Sequence, residues 1–110
     1  MKQSITLFKA LSDETRLRIL LLLKKDAMCV CELTDMLNLS QPKISKHLTK
    51  LKDLGFIDSF RQGRYMVYRL SDDAFFNAVL DQTQRELQND EIIVNDHNRI
   101  RSCRIQDKQA

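Results

Sequence analysis

Two cysteines separated by one residue, Cys29 and Cys31, have the clearest potential for chemistry in this sequence. Thiolates are soft ligands, so a pair of them suits thiophilic ions. The same spacing also fits two small residues of a hydrophobic core, a place that free cysteines often occupy. A third cysteine, Cys103, lies more than seventy residues further along the chain. By spacing alone, ion ligand and core residue remain alternatives for the pair.

Two helices joined by a short turn are predicted directly after the cysteines. Their apolar residues recur at helical spacing; they are Leu33, Met36, Leu37, Ile44, Leu48, Leu51 and Leu54. Ser40 is a good N-cap for the second helix, Pro42 fits its first turn, and Gly55 offers a left-handed stop. The first helix is expected over about 31–37. This pattern predicts a helix-turn-helix, whose second helix lies in a DNA major groove.

Polar and basic side chains of the second helix and of a following hairpin are the candidate DNA contacts. They are Ser40, Gln41, Lys43, Ser45, Lys46, His47 and Lys50 on the helix, and Arg61, Gln62 and Arg64 at the hairpin tip. Gln41 or Lys43 can hydrogen-bond to a purine edge. Lys50 and the two hairpin arginines suit phosphates, which provide affinity without sequence information. His47 has a structural alternative, since it can pack or cap against the hairpin.

Positive charge is concentrated in the same part of the sequence. Residues 40–70 contain seven Lys or Arg and two Asp, although the formal net charge of the whole chain is only +3. A phosphate-binding surface requires such a concentration. A solvated face is the simpler explanation for one Lys-rich helix. Here, however, the hairpin also has an excess of basic residues.

The remaining periodicity predicts a winged helix-turn-helix. Helices are expected over 3–11, 13–25 and 72–87, with Ser12 and Ser71 as caps of the second and last, and strands over 56–60 and 65–70. Gly63 supplies the positive φ of the hairpin turn. The fold class is therefore mainly α with a β-hairpin (α+β). Residues 1–90 are expected to form the DNA-binding and dimerisation domain, and 91–110 a C-terminal helix extension or flexible tail in which Asp96 and His97 are solvated.

Composition argues against several other classes of protein. Three cysteines do not resemble a secreted disulfide framework, and neither a signal peptide nor a membrane-spanning apolar run is present. A cytoplasmic protein with reduced thiols is therefore expected. An enzyme is not expected, because the two histidines lie on the DNA helix and in the tail, and two glycines are too few for a phosphate-cradling loop.

Six motifs together are similar to those of a known family. They are LFKAL at 7–11, DETRL at 13–17, CVCEL at 29–33, SQPKISKHL at 40–48, LG at 54–55 and YRLS at 68–71. With them the sequence resembles the ArsR/SmtB family of metal-responsive repressors, most closely its arsenical-resistance branch. CVCEL at the start of the helix-turn-helix is the most specific of the six.

The resemblance implies a homodimer joined through the first and last helices, bound to double-stranded operator DNA. It also implies that arsenite or antimonite, As(III) or Sb(III), acts as inducer by binding Cys29 and Cys31, with no permanently bound cofactor. That branch often has a further cysteine where this sequence has Thr34. Cys103 or an exogenous thiol is then the candidate third ligand. A repressor that senses thiol oxidation or reactive sulfur, and a sensor of another thiophilic metal such as cadmium, are the alternatives.

The spacing of the cysteine pair suggests how binding is coupled to DNA release. On a regular helix, residues i and i+2 point about 200° apart. An ion that joins both sulfurs is therefore expected to distort or unwind the first turn of the helix. Since that helix is the first half of the helix-turn-helix, the distortion would change how the second half fits DNA.

Overall fold

The computed structural model describes residues 1–99 and contains the predicted mainly α winged helix-turn-helix. Its elements are α1 (Lys2–Leu11), α2 (Glu14–Lys25), β1 (Met28–Cys29), α3 (Val30–Leu37), α4 (Gln41–Asp53), β2 (Ile57–Gln62), β3 (Tyr65–Leu70), α5 (Ala74–Glu86) and a last helix, α6, over 91–99. Over this part of the chain, no helix is long and apolar enough to cross a membrane.

Helix α2 is the centre of the hydrophobic core. Its residues from Ile19 to Leu23 are all buried, because the helix is apolar on nearly every side and other elements surround it. The apolar stripes of α3 and α4 pack into the same core. The two helices of the helix-turn-helix are therefore held against one rigid helix, with their remaining faces turned outward.

The sheet has three antiparallel strands in the order β1-β3-β2. Strands β2 and β3 form the wing, and Gly63 at its turn has a φ of +63°. Strand β1 was not predicted, because two residues are too few to show an alternating pattern. It pairs Met28 with Tyr68 and Cys29 with Val67. The segment that carries the first cysteine is therefore hydrogen-bonded to the wing.

Two of the predicted helix caps are wrong. The caps of α2 and α5 are Asp13 and Asp73, whose carboxylates accept backbone N–H bonds of 3.0 and 2.8 Å from the first turns. Both helices begin later than predicted, so Ser12 and Ser71 lie outside the cap position. The Ser12 hydroxyl instead donates to the Lys9 carbonyl at the end of α1.

The predicted N-cap of α4 and the predicted glycine after its end are confirmed. The Ser40 hydroxyl accepts a hydrogen bond from the Lys43 backbone N–H at 3.4 Å and so caps α4. Gly55, just after α4, has a φ of +85°, which favours glycine because it has no Cβ. Asn38 is the C-cap of α3 and is also left-handed, with a φ of +55°. The turn between the two helices therefore begins at Asn38.

Helix α6 packs onto the domain. Ile93 is buried in the core, and Asp96 is only 2% exposed. The expectation that Asp96 is a solvated tail residue is wrong, because its carboxylate pairs with Arg18 of α2 at 2.8 Å. Residues 100–110, which include Cys103, lie outside the described part of the chain.

Candidate thiol site and DNA-binding surface

The two thiols of the Cys-x-Cys pair lie next to each other at the start of α3. Cys29 has extended backbone, with φ −86° and ψ 168°, and is the N-cap of the helix. Its thiol lies close enough to the Cys31 side chain for a hydrogen bond that raises the pKa of Cys29. Cys29 is buried, whereas Cys31 is exposed. The structure thus brings together two of the three predicted thiol ligands, and one of them is accessible to solvent.

The expected distortion of α3 rests on a helical separation between Cys29 and Cys31, and this premise is wrong. Because Cys29 precedes the helix and has extended backbone, the helical separation of about 200° does not apply to the pair. A bridging ion can bind here without the loss of a helical turn.

Glu32 connects the thiol site to the cap of α3. Its carboxylate accepts a hydrogen bond from the Cys29 backbone N–H at 3.1 Å. In return, the Glu32 backbone N–H points at the Cys29 sulfur, which completes a capping box. The Cys29 sulfur therefore satisfies one of the backbone donors that a helix leaves unpaired at its start. An ion that binds this sulfur therefore competes with its hydrogen bond from the Glu32 backbone N–H.

Burial raises the pKa of the Cys29 thiol to about 12. The hydrogen bond to Cys31 also raises it, as do the charges of Cys31 and Glu32, while the Glu32 backbone N–H lowers it. At neutral pH Cys29 is a protonated thiol. Because the thiolate is the species that oxidants attack, Cys29 is a poor target for them. Ion binding at this sulfur must displace its proton.

Among residues 1–99, no third protein ligand lies beside the pair. The Thr34 hydroxyl, one turn after Cys31, donates to the Cys31 carbonyl at 2.8 Å. Within residues 1–99, no three His, Cys, Asp or Glu side chains are close enough together to hold a metal ion. A site with three sulfurs therefore requires a thiol from elsewhere.

Helix α4 presents the predicted DNA contacts on its outer faces. Ile44, Leu48 and Leu51 are buried on the inner face. The predicted contacts that are exposed are Ser40, Gln41, Lys43, Lys46 and Lys50, and the half-buried ones are Ser45 and His47. The structure therefore groups the helix residues on the surface that a recognition helix would present.

The three predicted wing contacts lie together at the hairpin tip. Arg61, Gln62 and Arg64 are all exposed around the turn between β2 and β3. The Arg64 guanidinium lies 5.4 Å from the centre of the Tyr65 ring and donates to its hydroxyl at 3.3 Å. This contact holds one of the two tip cations in a defined position.

His47 lies close to the start of α2. Its pKa is lowered by burial and by the charges of Arg16, Lys43 and Lys46, and Asp13 opposes this effect. A lowered pKa keeps the imidazole neutral at pH 7. His47 is therefore suited to hydrogen-bond a base or backbone group as a neutral side chain, and does not add positive charge to the surface.

Two cations that sequence analysis did not single out stabilise the wing. Lys52, in the last turn of α4, donates to the Ser59 hydroxyl of β2 at 2.6 Å. The Arg69 guanidinium of β3 lies 4.8 Å from the centre of the Phe60 ring of β2. Each contact joins residues seven or more positions apart, so no local pattern predicts it. The first connects the recognition helix directly to the base of the wing.

Comparison with known proteins agrees with this architecture. Residues 13–59 match the family described as "Bacterial regulatory protein, arsR family". The chain is 43% identical over 90 residues to the arsenic resistance transcriptional regulator ArsR1 of Pseudomonas putida, a match that covers 76% of this chain and 70% of the relative.

Solved structures show the same fold. HlyU from Vibrio cholerae superposes with a TM-score of 0.72 at 31% identity, over 76% of this chain and 90% of HlyU. The AntR antimony-specific transcriptional repressor superposes with a TM-score of 0.70 at 26% identity, over 82% of this chain and 81% of AntR.

Proposed function

Because this chain belongs to the ArsR family of bacterial regulatory proteins, and so is a DNA-binding transcriptional repressor rather than an enzyme, we propose that As(III) or Sb(III) releases it from its operator by binding Cys29 and Cys31. The observation that carries this proposal is the contact between the two thiols at the N-cap of α3. The names of ArsR1 and AntR support arsenic and antimony as inducers. A protein that binds chromosomal operators is expected in the cytoplasm.

The chemistry of the pair suits a trivalent metalloid. Arsenite in water is As(OH)₃, and it condenses with two thiols to form two As–S bonds. Each thiol proton leaves with one hydroxyl group as water, so no oxidant or reductant is needed. The protonated state of Cys29 is therefore no obstacle to this ligand. Soft sulfur atoms also favour such ions over the harder ions of the cell.

Release follows from what the Cys29 residue does in the free protein. Its sulfur accepts from the first turn of α3, and its backbone pairs with Val67 in the wing. An ion that holds this sulfur disturbs the start of the helix-turn-helix and the strand beside the wing together. The ion then favours a state in which α4 and the wing no longer fit the operator together, and DNA affinity falls by the coupling free energy.

The redox alternative is less well supported by the geometry. Cys29 is buried and its pKa is raised, so little thiolate is available for oxidation. A cadmium sensor would require ligands in addition to the two thiols, and within residues 1–99 no third His, Cys, Asp or Glu completes a metal site.

Operator release in the presence of different effectors tests this proposal. The protein is titrated onto labelled DNA from upstream of its own gene, with arsenite, antimonite, cadmium, zinc or peroxide present. We expect arsenite and antimonite to lower the affinity most strongly. Release by peroxide alone would show that the thiols sense oxidation instead.

We also propose Cys103 as the third sulfur ligand, on the basis of chain length. The Arg99 guanidinium donates to the Met36 carbonyl at 2.7 Å, so α6 reaches the last turn of α3. Eight helical residues make α3 about 12 Å long. Cys103 follows Arg99 by four positions, and an extended chain of four residue steps spans about 13 Å. Cys103 is thus within reach of the pair at the other end of α3.

Cys103→Ser should therefore reduce sensitivity to arsenite without changing operator affinity. We expect about tenfold more arsenite for half-release, equivalent to about 1.4 kcal/mol of binding free energy. The measurement is a release titration of wild type and variant, with and without a small free thiol. If the variant matches wild type, and the free thiol sharpens both responses equally, then an exogenous thiol is the third ligand.

Exposed apolar side chains on α1 and α5 support a homodimer through these helices. Phe8 of α1 and Phe75 of α5 are 56% and 50% exposed, and their rings meet edge to face with centroids 6.4 Å apart. Ile5 of α1 is also exposed. Such a contiguous apolar surface is typical of a protein interface, and pairing would enlarge the core of a small domain.

Phe8→Asp should convert the homodimer to a monomer and weaken operator binding, because it places a charge in the apolar surface. The conservative change Phe8→Leu keeps the surface apolar and should remain dimeric. Sedimentation equilibrium gives the mass of each variant. A Phe8→Asp protein that sediments as a dimer would place the interface elsewhere.

A further inference from the structure

Two arginines hold the C-terminal end of α3. Arg18 of α2 donates through Nη2 to the Leu37 carbonyl at 3.3 Å, and Arg99 of α6 donates through Nη1 to the Met36 carbonyl at 2.7 Å. The last carbonyls of a helix have no partner within the helix and carry its partial negative charge. Both guanidinium groups therefore stabilise the turn that leads, through the left-handed Asn38, into α4.

Arg18 is itself held by Asp96 of α6. Its Nε and Nη2 atoms each donate to a different oxygen of the Asp96 carboxylate, both at 2.8 Å. The Asp96 side chain is 3% exposed, and that of Arg18 is 16% exposed. A buried, bidentate ion pair of this kind fixes both side chains in one geometry. The position of the guanidinium at Leu37 thus depends on α6.

We propose that Asp96 and Arg99 are positioning residues for operator binding, and that α6 sets the orientation of the recognition helix by clamping the last turn of α3. Arg99 acts on α3 directly, and Asp96 acts through Arg18. Neither residue needs to touch DNA. The inference rests on the proposed operator binding, and it assigns to α6 a part in DNA recognition.

The clamp affects sequence-specific binding rather than binding in general. Base contacts depend on the angle at which α4 enters the major groove. Phosphate contacts depend on the number of basic side chains on the surface, which is unchanged when the clamp is removed. Loosening the clamp should therefore reduce the preference for the operator, while non-specific affinity and its dependence on salt stay the same.

Asp96→Asn is the first test, since it keeps the shape of the side chain and removes its charge. Asp81→Asn is the matched control, because Asp81 makes a 2.7 Å ion pair between α5 and Lys24 of α2 that does not involve α3. Affinities for operator and for random DNA are measured over a range of salt concentrations. Amide hydrogen exchange of residues 34–40 reports the state of the turn independently of DNA.

We expect Asp96→Asn to lose about tenfold in operator affinity, to keep its affinity for random DNA, and to exchange faster at 34–40. Asp81→Asn should match wild type. Operator binding equal to wild type in the folded Asp96→Asn protein overturns the inference, as does an equal loss on both DNAs. If Asp96→Asn does not fold, Arg99→Gln, at an exposed residue, decides by the same criteria. Wild-type protein without operator preference would instead contradict the proposed function.

Discussion

Cys29→Ser should stay bound to its operator at arsenite concentrations that release the wild-type protein. Serine is a favoured N-cap residue, so its hydroxyl can replace the sulfur as acceptor for the Glu32 backbone N–H. Operator affinity should then stay within about threefold of wild type. The hydroxyl is a poor ligand for a soft ion, so we expect half-release to require on the order of a hundredfold more arsenite, or not to occur.

Fluorescence anisotropy of labelled operator DNA, titrated with arsenite, measures both quantities. Cys31→Ser should behave in the same way, because one remaining thiol cannot bridge an ion. Thr34→Ser is a suitable control, since its hydroxyl can keep the bond to the Cys31 carbonyl and no sulfur is lost. A protein with both cysteines replaced that is still released as readily as wild type would place the sensor elsewhere.

Lys43→Ala and Lys46→Ala should each weaken operator binding by about tenfold. Both side chains are exposed at the front of α4, where a recognition helix approaches base edges and phosphates. If either contacts a phosphate, its removal also lowers the slope of affinity against salt by about one. If either reads a base, the loss is confined to the operator, so the two roles can be told apart.

Lys25→Ala is the matched control for these variants. Lys25 is also exposed but lies in the last turn of α2 and not on α4. Binding isotherms at several salt concentrations, on operator and on random DNA, provide the comparison. Unchanged affinity in both Lys43→Ala and Lys46→Ala would remove this face of α4 from the DNA interface.

The architecture was predictable because its main elements are long and periodic. The apolar stripe through Ile44, Leu48 and Leu51 identifies the buried face of α4, and the structure buries these three residues. Ser40 and Gly55 mark the limits of the helix through local chemistry that does not depend on the rest of the fold. The wing follows from alternation around Gly63.

The geometry of the thiol site was not predictable in the same way. The helix is predicted only from about residue 31, and nothing in the local sequence shows that Cys29, just before it, pairs with Val67 of the wing. That pairing gives Cys29 its extended backbone and moves its sulfur beside that of Cys31. The ion pair between Arg18 and Asp96 joins residues 78 positions apart, so only the folded chain reveals it.

The most direct test is to measure arsenic coordination and operator affinity on the same sample. X-ray absorption at the arsenic edge reports which atoms surround the bound ion, and anisotropy reports the affinity of that complex for DNA. We expect arsenic bound to the sulfurs of Cys29 and Cys31, together with at least a tenfold loss of operator affinity. Arsenic bound to both sulfurs in a protein that holds its operator as tightly as before would contradict the account.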